Sequence, residues 1–205
     1  MNPELLTKAL YRIAIGFGIL CFDINLGPIN ILPNWLGYWL IVKSLDAIAE
    51  EEPSAALLKP LGNLLIVWFS ATWVMQILGM NPRVSLVDWF AYLVAVEQLY
   101  FQFQLLTNIA AIAKKYVPQF EQRILRLRTV MTLVVTGYTL LSAFVVSETV
   151  LIVVAVVQLV AAIWLWRTLL HMEDAMSEEF GLKSRDLTFA ERIQMNTENT
   201  ETSEE

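Results

Sequence analysis

The sequence predicts an all-α protein, a polytopic bundle of about six transmembrane helices with both termini in the cytoplasm. Three observations carry that expectation. Of 205 residues, 57% are hydrophobic and only 17% charged, and mean hydropathy is +0.55, whereas soluble domains carry about 25% charged and under half apolar residues. The apolar residues gather into six runs close to the roughly 17 to 25 residues that cross a bilayer as a helix. Basic residues are also distributed one-sidedly between the ends of those runs.

The runs are Leu10 to Ile24, Pro33 to Ile48, Leu61 to Leu78, Leu86 to Ala113, Leu127 to Val146 and Thr149 to Leu170. Pro33 and Pro60 suit a first helical turn, where a missing N–H costs nothing. Gly79, followed by Asn81 and Pro82, stops the third run. Ser85 and Asp88 have the spacing of a capping box opening the fourth. "VSET", residues 146 to 149, joins the last two runs tightly. As one helix they would extend roughly 67 Å, twice the hydrocarbon thickness, so a hairpin is expected.

Orientation follows from Lys and Arg. With the N-terminus inside, Lys8, Arg12, Lys43, Lys59, Lys114, Lys115, Arg123, Arg126, Arg128, Arg167, Lys183, Arg185 and Arg192 all fall on the cytoplasmic side, and the outer side has Arg83 alone. That asymmetry is the positive-inside pattern. The first run follows Lys8 and Arg12 like a signal peptide, but without a small-residue cleavage site it reads as a retained helix. The formal charge of −6 belongs to the tail: residues 172 to 205 hold ten acidic against three basic residues, and the remainder ten against eleven. The division expected is a transmembrane domain over 1–171 and an acidic cytoplasmic tail over 172–205. Met172, Met176 and Phe180 extend the sixth helix out of the membrane toward a stop at Gly181. Thr188 to Glu191 has the spacing of a further helix cap, and "NTENTETSEE" reads as a disordered end.

Two stretches depart from plain apolar helix. Between the first two runs lie Asp23, Asn25 and Asn30 with Gly27, Pro28 and Pro33. If Pro33 marked the outer surface, Lys43 would lie only about 15 Å deeper, near mid-bilayer. Either Lys43 reaches inward along its helix toward Asp46, or residues 24–32 dip into the outer leaflet, where irregular backbone needs polar partners. An ordinary outer loop with Trp35 and Tyr38 at the interface fits equally. Asp23, near the outer end of its helix, suits a solvated or loop-capping role.

The second departure is the fourth run. On a helical projection Glu97, Gln104 and Asn108 fall within about 40° of one another, and Gln98 with Gln102 form a second strip roughly 120° away. A face this polar should turn toward other helices. An unpaired carboxylate at mid-bilayer costs on the order of 3 kcal/mol, so Glu97 is expected to be protonated, paired or facing water. It contacts a proton, cation or solute, or else it joins the amides as interhelical glue, in which case Glu97→Leu should cost about 0.6 to 2 kcal/mol.

Between the fourth and fifth runs, "KKYVPQFEQRILRLR" places Phe120, Ile124 and Leu127 on one face. It reads as an interfacial helix whose Lys114, Lys115, Arg123, Arg126 and Arg128 meet lipid headgroups, or as a plain basic loop. Membrane lipid is the expected partner, beside a membrane-protein partner or a second copy. No basic, aromatic-laced surface points to nucleic acid.

Catalytic constellations are missing. Cys21 and His171 are the only residues of their kinds, so no intramolecular disulfide and no thiolate cluster or paired-imidazole metal set can form. No nucleophile elbow, zincin, P-loop or dinucleotide fingerprint occurs. No enzyme activity, metal or other cofactor is expected.

Ile24 to Tyr38, "INLGPINILPNWLGY", resembles a segment of small multi-pass membrane proteins of Gram-positive bacteria to which no activity is assigned. The resemblance covers about the first quarter of the chain and implies a bacterial cytoplasmic membrane. Two function classes remain. One is binding or transport of a small solute or ion through a polar interior around Glu97, alone or as a transporter subunit. The other is an assembly or regulatory protein acting through helix and cytoplasmic-loop contacts.

Overall fold

The computed structural model describes residues 2–21, 25–26, 29–30, 33–79, 85–143 and 148–182. They form six α-helices: α1 Pro3–Cys21, α2 Asn34–Glu51, α3 Leu58–Ile77, α4 Ser85–Tyr116, α5 Glu121–Ala143 and α6 Glu148–Glu179. Short 3-10 turns, Pro53–Leu57 and Pro118–Phe120, lead into α3 and α5. Two two-residue strands, β1 Asn25–Leu26 and β2 Ile29–Asn30, pair antiparallel between α1 and α2. Arg83, Ser147 and residues 183–205, which carry the expected outer charge, tight hairpin turn and "TFAE" cap, lie outside the described residues.

Local chemistry accounts for the helix ends. The Asn2 side-chain oxygen accepts the Glu4 N–H at 3.0 Å, and Pro3 follows it at the first helical position, a capped start. Glu52 and Val117 each precede a proline and leave the helical region, at φ −131° and −137°, as that position favours. Gly79 closes α3 at φ +65°. At the end of α6, Gly181 takes φ +62° while Leu182 donates to Ser177 O at 2.8 Å and Gly181 to Glu178 O at 3.0 Å. These are the paired bonds of a Schellman stop. Thus α6 runs unbroken across the expected 171/172 boundary.

Each helix packs against the next, and α6 returns onto α1, closing a ring whose loosest seam is between α3 and α4. The buried side chains gather at one end of it. They include Leu6 and Ile13 of α1, Leu45 and Ile48 of α2, Leu58 of α3, Leu105 and Ile109 of α4, Ile124 of α5, and Leu169 and Met176 of α6. The basic residues of the described chain decorate this packed end. Toward the other end outward-facing apolar residues dominate: Val67 on α3 and Leu78 at its end, Leu93 and Val96 on α4, Leu133 on α5 and Ile152 and Val156 on α6 are all more than half exposed.

Two helical segments, Pro53–Ile77 and Ile152–Glu179, are long and apolar enough to cross a membrane, and only 22% and 28% of their most apolar windows are buried. A soluble core helix would hide such a window; these present it outward. Many hydroxyls on the helices bond the carbonyl four residues back, among them Ser44 to Leu40, Thr72 to Trp68, Thr107 to Phe103, Thr132 to Arg128 and Thr168 to Trp164, at 2.8–3.0 Å. This satisfies a polar group without water.

Two sequence expectations are corrected. The segment after Pro118 is no separate interfacial helix. One 3-10 turn separates it from α4, and Phe120, Ile124 and Leu127 continue with Met131 as the buried stripe of α5, so that apolar face meets protein rather than lipid. Lys43 does not pair with Asp46. Its ammonium lies 3.9 Å from the Trp39 ring centre, one turn back, while Asp46 pairs with Lys59 at the start of α3.

At the packed end one ion pair ties α2 to α4. The Glu51 side chain, 6% exposed, receives hydrogen bonds from Lys115 and, at 2.8 Å, from the Tyr116 hydroxyl. Tyr116 in turn meets the Phe180 ring edge-on at 5.1 Å. The Lys115 bond holds the Glu51 carboxyl below its ordinary range; burial opposes it and Tyr116 assists. A carboxylate shifted down on folding contributes stability above its unfolded pKa and loses it as pH falls through the folded value. Lys115 is raised, chiefly by the same bond, and loses its contribution only as pH climbs through its folded value. We therefore expect Glu51→Gln to cost about 1 kcal/mol at neutral pH and to flatten the fall of melting temperature through the acid range. Melting in detergent from neutral to acid pH checks this, and an unaltered profile counts against it.

Candidate functional site

Inside the ring, above the packed end, is a cleft of about 250 Å³. Its polar lining comes from three helices: Tyr38 of α2, Gln98 and Gln102 of α4, and Gln158 of α6, with Thr139 of α5 alongside. Phe17, Leu20 and Cys21 of α1 and Met131 of α5 supply apolar wall. Gln98 and Gln102 face inward together because four residues bring a helix back to nearly the same side. Gln158 is the one polar residue between Thr149 and Ile163, and it lies on the inward stripe of α6 with Ala162 and Leu165.

Tyr38 is held by its neighbours. Its ring stacks on Phe69 at 5.3 Å between centres and meets Phe101 edge-on at 5.8 Å. Gln98 is its hydrogen-bond partner. The Thr139 hydroxyl donates to Val135 O at 2.9 Å. Among the described residues, no hydrogen bond from the chain takes up the carboxamides of Gln102 and Gln158. The lining therefore offers two uncommitted amides, each donor and acceptor, in a chamber whose described lining has no charged side chain. Its floor is solid core: Ile41, Leu45, Leu105 and Leu106 are each fully buried.

The five site candidates of α4, Glu97, Gln98, Gln102, Gln104 and Asn108, divide into three groups. Gln98 and Gln102 line the cleft. Gln104 and Asn108, nearer the packed end, join at 3.0 Å, and Asn108 meets Ser54 Oγ at 2.9 Å. Turned over, the Asn108 amide donates to Ser54 and accepts the Ala55 N–H at 3.2 Å. Only 2% exposed, Asn108 pins the Pro53–Leu57 turn to α4. These bonds set it apart from the cleft residues Gln98 and Gln102. Glu97 lies within electrostatic range of Tyr38, with a buried Oε1 that has no hydrogen-bond partner among the described residues.

The remaining candidates separate as well. Asp23 lies outside the described residues, and Asn25 and Asn30 are described only as paired backbone. Of the five expected headgroup cations, Lys115 pairs with Glu51 and Lys114 lies 4.0 Å from Glu121. Arg128, half-buried, donates to Thr107 Oγ1 at 2.8 Å with its guanidinium 4.2 Å from the Phe103 ring centre. Arg123 and Arg126 stay exposed. The sequence reading set Tyr38 at the interface, whereas it is buried at 3% exposure; Gln158 it passed over, though isolation within an apolar run was the available signal. No known family, curated protein or solved structure matches this chain.

Proposed function

We propose that the chain is a non-enzymatic integral protein of a bacterial cytoplasmic membrane, spanning it six times with both termini at the basic, cytoplasmic end. In this reading the central cleft opens to the outer side and binds a small, neutral, polar solute, alone or as a transporter subunit. The observation that carries it is the convergence of Tyr38, Gln98, Gln102 and Gln158 from three helices into one chamber. Free amides inside a bundle are costly unless something hydrogen-bonds them. A neutral ligand is favoured over an ion because the described residues of the cleft wall carry no counter-charge, and an unpaired ion in a low-dielectric site costs several kcal/mol. A second reading, an assembly or regulatory protein, draws on the Ser54, Gln104 and Asn108 network, where α4 amides act as glue.

Cys21 provides the test, being the only cysteine and part of the cleft wall. A small membrane-impermeant methanethiosulfonate added outside intact cells should modify it, and Ala162→Phe, which fills the chamber, should block the reaction. Modification from the cytoplasmic side alone would overturn the orientation. Modification only after denaturation would mark a sealed core and favour the assembly reading.

A further inference from the structure

We propose that the groove between α5 and α6 at the basic end holds one anionic phospholipid, its phosphate on Arg123 and Arg126 and an acyl chain against Trp164. The proposal rests on the membrane-spanning reading. It concerns the lipid-facing surface, separate from the cleft. The groove, about 790 Å³, is lined by Arg123, Arg126, Leu127, Thr129, Val130 and Trp164. Helical spacing sets its polarity: Arg123, Arg126 and Val130 follow at i, i+3 and i+7 along one side of α5. Cations thus stand at the packed end and apolar surface continues toward mid-membrane, with Leu133 67%, Trp164 61% and Val160 59% exposed.

Charge complementarity selects the occupant. Lys8, Lys59, Lys114 and Lys115 each have a carboxylate within 4.0 Å, and Arg128 is taken up by Thr107 and Phe103. Arg123 and Arg126 are exposed, and neither forms an ion pair among the described residues. Arg123 only approaches the Phe120 ring, 5.9 Å from its centre. Two guanidinium forks match phosphate oxygens, and the cytoplasmic leaflet supplies anionic headgroups. Trp164 sits where an indole marks the boundary between headgroup and chain. A choline headgroup would add a third cation to the same place.

The test uses the full chain purified in detergent, melted with phosphatidylglycerol, with phosphatidylcholine and with inorganic phosphate. Phosphatidylglycerol should raise the melting temperature of the parent and of Arg12→Gln, which is outside the groove. Arg123→Gln with Arg126→Gln should need about tenfold more of it for the same rise, the loss expected of charge-assisted bonds to phosphate. Should that variant not melt cooperatively, Val130→Trp, which fills the groove and keeps both arginines, must abolish the rise instead. An equal rise with phosphatidylcholine, a full rise with inorganic phosphate alone, or an unchanged response of the double variant would overturn the proposal. Release of the parent from membranes by alkaline carbonate would instead overturn the spanning reading.

Discussion

Valine at either Gly16 or Gly37 should destabilise the protein by about 2–3 kcal/mol. The two glycines face each other where α1 crosses α2. A Cβ on Gly16 would stand 2.8 Å from Gly37 O and 2.7 Å from Ile41 Cγ1, and one on Gly37 would stand 2.8 Å from Gly16 O. A side chain can rotate away; a carbonyl of the opposing helix cannot. The helices must therefore separate, and under the proposed spanning reading that is damaging because close van der Waals packing, rather than apolar transfer, holds helices together in lipid. A Cβ on Gly137 in α5 would meet nothing within 4 Å, so Gly137→Ala should be neutral or stabilising by up to about 1 kcal/mol through helix propensity. Alanine at both Gly16 and Gly37 should cost less than the sum of the single changes, since the first already opens the shared contact. Reversible unfolding in detergent reads all of these, and a Gly16→Val protein as stable as the parent would mean that the crossing is not this close.

The helices were legible because hydrophobic length and proline and glycine punctuation are local properties. Pro33, Pro60, Gly79, Pro118 and Gly181 sit in the first turn of a helix or beside a helix end. What each apolar face touches was not legible, since lipid and protein interior accept the same side chains. Phe120, Ile124 and Leu127 make a stripe either could cover, and the protein covers it. A helical projection groups Glu97 with Gln104 and Asn108 but discards axial rise, and seven residues separate Glu97 from Gln104 by about 10 Å along the axis. Gln98 and Gln102, one turn apart, stay together in the cleft. Long-range partners were beyond sequence reasoning. Ser54 precedes Asn108 by 54 residues, and nothing local pairs them. Lys43 shows local competition: Asp46 was within helical reach, but Lys59 takes it, leaving the Trp39 face to Lys43.

Glu97→Leu should raise the melting temperature while impairing function, the reverse of what interhelical glue requires. The glue reading needs hydrogen bonds that leucine would lose. Instead, the buried Glu97 Oε1 has no partner among the described residues, while the amide network of α4 lies elsewhere, at Gln104 and Asn108. A buried polar atom without a partner costs on the order of 1–3 kcal/mol, and replacing it with an apolar side chain of similar size recovers part of that, about 1–2 kcal/mol. Glu97→Gln keeps a polar group in the same place and should change stability little. A carboxylate that burdens the fold beside Tyr38 and next in sequence to the cleft residue Gln98 fits the trade of stability for activity met at functional sites. Both variants should then lose the growth or uptake phenotype of the parent, the leucine variant while melting higher. Melting curves in detergent paired with that cellular assay decide the matter: a destabilised Glu97→Leu protein would show that Oε1 has a partner after all, and a stabilised variant with full activity would remove Glu97 from the function.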